Sequence, residues 1–298
     1  DYAFDHSNII SITIPDTVVS IGESALEFCT SLESITIPDS VVKVGNRAFY
    51  CTPWLNNQPY GLVYIGKVAY AYIDDEDIGN RYNKQSIVLK EGTVSISDNA
   101  FSDVYGLTDI IIPDSVTYIG NNAFENCYNL ESITIPDGVT YIGDYAFKNC
   151  EIITSVTIPN SVTYIGSYVF DGCENLINVT IPKSVTYIGT GAFLFCLSLE
   201  KITVDADNAK YSSQDGVLFN KDKTKLLAYP KTKQGQYTVP DTVTSINSSA
   251  FADCTGLTGI TIPDSVNYIG KYAFQYCPEL TSVKLPENIT QISYAAFD

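Results

Sequence analysis

The chain has no methionine, one histidine and one tryptophan among its 298 residues. The sole imidazole, His6, lies in a broken N-terminal repeat, where neither a Ser-His-Asp triad nor a zinc site can be built around it. No G-x-x-x-x-G-K-[ST] or G-x-G-x-x-G pattern follows a strand-like run. No catalytic residue, cofactor or resident metal is expected, and the chain reads as a non-enzyme. Cations are also scarce: 17 Lys and Arg stand against 34 Asp and Glu, for a net charge of −17. That balance argues against nucleic acid and anionic membranes and favours cationic or ion-bridged partners. No apolar run approaches the roughly 18 residues of a membrane span, and no basic leader with an apolar core opens the chain.

What the chain has instead is repetition. Pro113, Pro136, Pro159 and Pro182 lie 23 residues apart, as do Pro15 and Pro38, and Pro240, Pro263 and Pro286. A fixed period of this length is the mark of a solenoid. The unit Leu130–Ile152 carries its physics. Ile133 and Ile135 alternate with Ser132 and Thr134, which predicts a half-buried strand. Pro136-Asp137-Gly138 ends it, because proline lacks a ladder donor and Asp closes an Asx turn. Val139 and Ile142 flank Thr140-Tyr141, which predicts a second short extended piece with two side chains outward, and Gly143 permits a bend. The spacing of Ile142, Ala146, Phe147 and Cys150 predicts about two helical turns with one apolar face. About eight apolar side chains per unit point one way, so a single unit cannot close a core but a stack can.

The L-x-x-I-x-I run resembles the leucine-rich repeat. The full I-P-D-S-V-T-x-I-G-x-x-A-F-x-x-C unit is similar to the BspA-like class (LRR_5, Treponema pallidum type) over nearly the whole chain. The resemblance implies an α/β, β-rich solenoid: a right-handed superhelix of ~23-residue repeats with a parallel sheet. One departure is consistent. The turn Asn of general leucine-rich repeats is Ser, Thr or Gly here (Ser40, Ser115, Gly138, Ser161, Ser184, Thr242, Ser265), so hydroxyls or backbone groups must satisfy that turn.

In chain order, regular units from Ile9 and Leu32 give way at 53–83 to an excursion. In it Leu62–Ile65 and Val68–Tyr72 flank Gly66-Lys67 as a hairpin, and Trp54 is expected to pin it to the stack. Units resume at Ile87 and run regularly over Leu107–Ser198. A second excursion spans 205–234, with another hairpin through Lys221–Thr224. The whole, 1–298, is expected to be one solenoid domain of about eleven rungs, on the order of 50 Å long. Broken repeats at both termini and the absence of Met make it read as a fragment of a longer protein.

Cys29, Cys127, Cys150, Cys173, Cys196, Cys254 and Cys277 sit three residues after the Phe slot (Leu26 in the first unit), and Cys51 two after Phe49. Stacked side chains point in parallel, which predicts a column of buried free thiols rather than disulfides or metal ligands. The Asp after each proline is expected to form turns rather than a calcium column, and the 74–77 acidic run to be a solvated loop.

Two outward columns remain as candidate surfaces. Thr134, Thr157 and Thr180 line the main sheet, either as a β-branched exposed face or as a hydrogen-bonding surface for an extended partner. Tyr118, Tyr141, Tyr164 and Tyr187 line the second strand. They serve either ladder stability or recognition, since aromatics offer area with a polar tip. Tyr268 continues this register, and Tyr145, Tyr168 and Tyr272 follow four residues on. The resemblance implies a secreted or surface-attached bacterial protein. It points to an adhesion module for an unidentified protein, host matrix or another bacterial surface protein. A carbohydrate-binding module using the tyrosines, and a passive spacer, are the alternatives.

Overall fold

The structure is a computed structural model and describes residues 1–74, 83–287, 289 and 291–298; the acidic run's Asp75–Asp77 fall outside them. The chain winds as a β-solenoid of about 12 turns. Each regular turn contributes one main strand and one two-residue strand to separate parallel ladders. Tyr118, Tyr141, Tyr164 and Tyr187 are in direct register, as are Ile119, Ile142, Ile165 and Ile188. On the main face, Val156 pairs with Val179 and Val179 with Ile202. A 23-residue repeat therefore places like on like, and the β-branched residues of the strands pack as columns.

The expected helical stubs are not helices. Pro53–Asn56 is the one helix among the described residues, capped by Thr52, whose hydroxyl accepts from the Leu55 N–H at 3.2 Å. In the segment after Gly143, Tyr145 and Asn149 have φ of 58° and 57°. Left-handed residues four apart end any helical run. The amides point along the solenoid axis instead. Tyr145, Phe147 and Asn149 donate to the carbonyls of Ser167, Val169 and Asp171 on the next turn, at 2.9, 2.9 and 2.7 Å. The apolar spacing read as helical comes from two consecutive tight turns, and it still buries Ala146, Phe147 and Cys150 completely. Gly143 has a different job from the bend first assigned to it. A Cβ there would lie 2.5 Å from the Asn121 amide nitrogen, so the backbones of successive turns touch.

The two segments read as insertions are part of the stack. Gly61–Ile65 and Val68–Ile73 pair antiparallel, but Val68 and Ala69 also pair in parallel with Ser95 and Ile96 of the next turn. Likewise Val217–Asn220 pairs antiparallel with Lys225–Ala228, which pairs in parallel with Ser245–Ile246. In these turns a tight hairpin replaces the wide proline arch. Both faces of the hairpins are buried, so they partition the core. Val68 and Tyr70 belong to an N-terminal cluster with Phe49, whereas Ala69 belongs to the central one with Phe101–Phe193. Leu218 faces that central cluster, and Val217 and Phe219 face a C-terminal one with Phe251 and Phe274. Trp54 does pin the first segment: its N–H reaches the Leu32 carbonyl at 2.8 Å and its ring lies 5.1 Å from that of Phe49.

The Phe column is the spine of the central cluster. Phe101, Phe124, Phe147 and Phe170 stack nearly parallel at 5.2, 5.3 and 5.6 Å. All eight cysteines are free thiols. Their role goes beyond small volume. Cys127, Cys150, Cys173 and Cys196 donate through Sγ to the carbonyls of Phe101, Phe124, Phe147 and Phe170, at 3.1, 3.3, 3.2 and 3.1 Å. Each thiol is thus a second donor to a backbone oxygen of the turn before it, which already accepts the N–H three residues on in its own turn. Burial pushes the Cys196 thiol up to about 12 and Cys150 and Cys173 well above their ordinary range, so these groups stay protonated and unreactive. Hydroxyls replace the missing turn Asn. Ser115, Ser161 and Ser265 donate to Thr93, Val139 and Val243 at 2.7, 2.6 and 2.7 Å. Ser184 departs from the pattern, its buried hydroxyl having no partner among the described residues.

Candidate functional site

Thr134, Thr157 and Thr180 are all exposed. Thr157 and Thr180 face each other across one ladder, which continues to Thr203. Thr134 lies just past the strand Ser132–Ile133, whose ladder runs the other way, to Ile110 and Ile87. The expected threonine column is therefore two surfaces with a seam. That same ladder through Ile110 and Ile87 presents an apolar pair one residue on, Val88 at 66% and Ile111 at 55% exposure, directly opposed. A different set of threonines is engaged within the fold. Thr140, Thr163 and Thr186 donate to Thr117, Thr140 and Thr163 carbonyls at 3.1, 3.2 and 3.1 Å.

The tyrosines form one continuous column. Ring centroids of Tyr118, Tyr141, Tyr164 and Tyr187 follow at 4.8, 4.5 and 4.6 Å, with interplanar angles of 8°, 9° and 9°. These spacings match the strand separation, so the sheet sets the stack. Ring faces are closed against one another, and Tyr118, Tyr141 and Tyr164 are only partly exposed. Tyr187, at the end, is 45% exposed. Tyr268 pairs with Ser245 in a separate ladder and does not extend the column. Tyr145 and Tyr168 make a second, shorter stack at 5.1 Å.

A polar ladder that the sequence reading missed runs beside the tyrosines, at the position after the repeat's Gly. Asp98 Oδ1 accepts the Asn121 N–H at 2.8 Å, Asn121 Oδ1 accepts the Asp144 N–H at 2.9 Å, and Asp144 Oδ1 accepts the Ser167 N–H at 2.7 Å. The recurring D/N/S after that Gly was the available signal. A true Asn ladder also exists, on the left-handed slot near Cys. Asn149 donates to Asn126 and Asn126 to Asp103, both at 2.8 Å. Asn suits that slot because it tolerates positive φ.

Electrostatically the tyrosine face is negative. Burial first, then the neighbouring Tyr164 hydroxyl and the charges of Asp144 and Asp98, push the Tyr141 hydroxyl up to about 12. Burial and Asp98 push Tyr118 up as well. Burial also raises Asp98, against the opposing hydrogen bonds of Asn121. The Tyr118 hydroxyl lies 3.5 Å from Asp98 Oδ1. The Lys43 ammonium stands 5.5 Å from the Tyr118 ring centroid, at a groove also lined by Glu23, Asn46 and Asn121. His6 lies elsewhere, bonded to Asp5 at 2.8 Å, with its ring tilted 32° against that of Phe28 at 4.9 Å. Among the described residues no group of three or more His, Cys, Asp or Glu is arranged to hold a metal, and no helix is long and apolar enough to cross a membrane.

The family model for the BspA-type leucine-rich repeat region matches residues 1–90, 94–216 and 227–298, in six copies. The chain belongs to the BspA-type leucine-rich repeat family. The second gap in the match, 217–226, falls on the hairpin that this BspA-type chain forms from Val217–Asn220 and Lys225–Ala228. A leucine-rich cell surface protein of Faecalibacterium prausnitzii is 30% identical, with a TM-score of 0.66 over 98% of this chain and 73% of that one. A leucine-rich repeat protein of Eubacterium ventriosum is 27% identical, with a TM-score of 0.60 over 76% and 68%. The pneumococcal vaccine antigen PcpA shares the fold, at 22% identity and a TM-score of 0.59 over 76% and 68%. No curated protein matches the sequence.

Proposed function

We propose that the chain is a non-enzymatic interaction module displayed on or secreted from a bacterial cell, and that it binds a protein partner. The supporting observation is its likeness, at 30% identity over 98% of its length, to a protein described as a cell surface protein. The Thr157–Thr180 face and the Tyr118–Tyr187 column are the surfaces offered. A protein partner suits the tyrosines better than a sugar does. Sugar stacking needs open ring faces, and these rings are stacked on each other at 4.8, 4.5 and 4.6 Å. Host matrix proteins and other bacterial surface proteins are the partner classes to try.

The test is a binding panel of such proteins by biolayer interferometry. It compares the wild type with Thr134→Lys/Thr157→Lys/Thr180→Lys and with Tyr141→Ser/Tyr164→Ser/Tyr187→Ser. At least one triple variant should weaken binding about tenfold, since a few contacts carry most of an interface's energy. Unchanged binding by both would remove both surfaces. A glycan array hit abolished by the tyrosine variant would replace the protein reading with a carbohydrate one.

A further inference from the structure

The tyrosine face already holds one cation, and it belongs to the chain itself. Lys43 reaches the outer ring face of Tyr118 at 5.5 Å, beside a groove whose wall includes Asp98 and Glu23. An ammonium placed between an aromatic face and a carboxylate gains from both. The same pairing of tyrosine and carboxylate recurs two turns on, where Asp144 stands close enough for its charge to raise the Tyr141 and Tyr164 hydroxyls, after burial. Asp98 and Asp144 each use Oδ1 to hold the next turn's amide, and Asp98 also accepts the Asn121 side-chain amide on Oδ2 at 3.4 Å and the Tyr118 hydroxyl on Oδ1 at 3.5 Å. A carboxylate has about four acceptor positions, so each retains capacity to accept from outside. The chain's net charge of −17 supplies a long-range field of the same sign.

We propose that this face docks a Lys- or Arg-rich extended segment of a partner polypeptide, whose cations donate to the tyrosine hydroxyls and to Asp98 and Asp144. Lys43 is the internal stand-in that such a segment displaces at the Tyr118 end. This rests on the protein-binding reading and specifies its chemistry. Charge complementarity selects the occupant: a neutral sugar would not need the carboxylates, and an acidic peptide would be repelled by them.

The experiment uses fluorescence anisotropy with a labelled peptide of alternating Lys and Ser, an extended form of which puts every lysine on one side. Asp98→Asn/Asp144→Asn preserves both Oδ1 acceptors and hence the ladder. It should weaken binding at least about tenfold. Asp114→Asn/Asp137→Asn makes the same change in net charge on the proline turns and should weaken it less than about twofold. Lys43→Gln should tighten binding about threefold by uncovering Tyr118, whereas Lys183→Gln, an equal charge change at an exposed turn, should not. Equal losses from the two aspartate pairs would overturn the proposal. So would no gain from Lys43→Gln, equal binding of a Glu-Ser peptide, or displacement by a neutral oligosaccharide. If a partner protein binds and ignores Asp98→Asn/Asp144→Asn, this inference fails while the module reading stands. If neither peptide nor any partner protein binds, both fail.

Discussion

Replacing Asp171 with Asn should stabilise the chain at neutral pH and do little near pH 4. Asp171 is 8% exposed, and its Oδ1 has no hydrogen-bond partner among the described residues. Burial lifts its carboxyl from 3.8 to about 6; Lys148 opposes the rise, and Asp253 and Glu125 add to it. The folded state therefore holds this proton more tightly than the unfolded chain does. Its contribution is fully present below about pH 4, is lost as pH climbs, and is gone above about 6. The gap of some two pKa units corresponds to about 3 kcal/mol, as an upper bound. Asn keeps the shape and cannot ionise, so the variant should lead the wild type by about 1–3 kcal/mol at pH 7.5 and match it at pH 4. Urea midpoints at pH 4, 5, 6 and 7.5 measure the difference. A difference independent of pH, or a variant less stable at pH 7.5, would refute the reasoning.

Four more expectations follow from the packing. Phe147→Ala opens a gap in the middle of a stacked column and should cost about 3–5 kcal/mol, read as a lowered midpoint of the central block alone. Cys150→Ala removes one of two donors to the Phe124 carbonyl, which keeps the Cys127 N–H at 3.2 Å, and should cost about 1 kcal/mol; Cys150→Ser, which restores a donor, should recover part of it. Thiol titration of the unfolded, unreduced protein should find all eight cysteines free, and fewer would contradict the column. Because the two hairpin turns divide the core, native-state hydrogen exchange should resolve three cooperative blocks rather than one.

The period, the core positions and the buried thiols were legible in the sequence because each turn repeats the same apolar pattern. The turn geometry was not. Apolar residues at Ile142, Ala146, Phe147 and Cys150 fit a helix and two tight turns equally well. Only the Asn and Gly residues at left-handed slots, such as Asn122, Asn126, Asn149 and Gly172, distinguish them. The hairpins were read as leaving the stack because they break the period. Alternation in Val68-Ala69-Tyr70 serves two cores at once, and a pattern that assumes one buried face cannot express that. The tyrosine column was found as a row of positions. Its closed ring faces and the Asp98–Asn121–Asp144 ladder beside it depend on how turns stack, which one repeat does not contain.

The account stands most directly on where a bound protein touches the solenoid. Hydrogen exchange of the chain, free and saturated with a partner found in the binding panel, locates that footprint. Protection is expected on the Tyr141–Ile142 and Tyr164–Ile165 strands with their flanking Asp144 turn, or on the Ser155–Thr157 and Asn178–Ile181 strands. Protection that avoids both ladders would contradict the account.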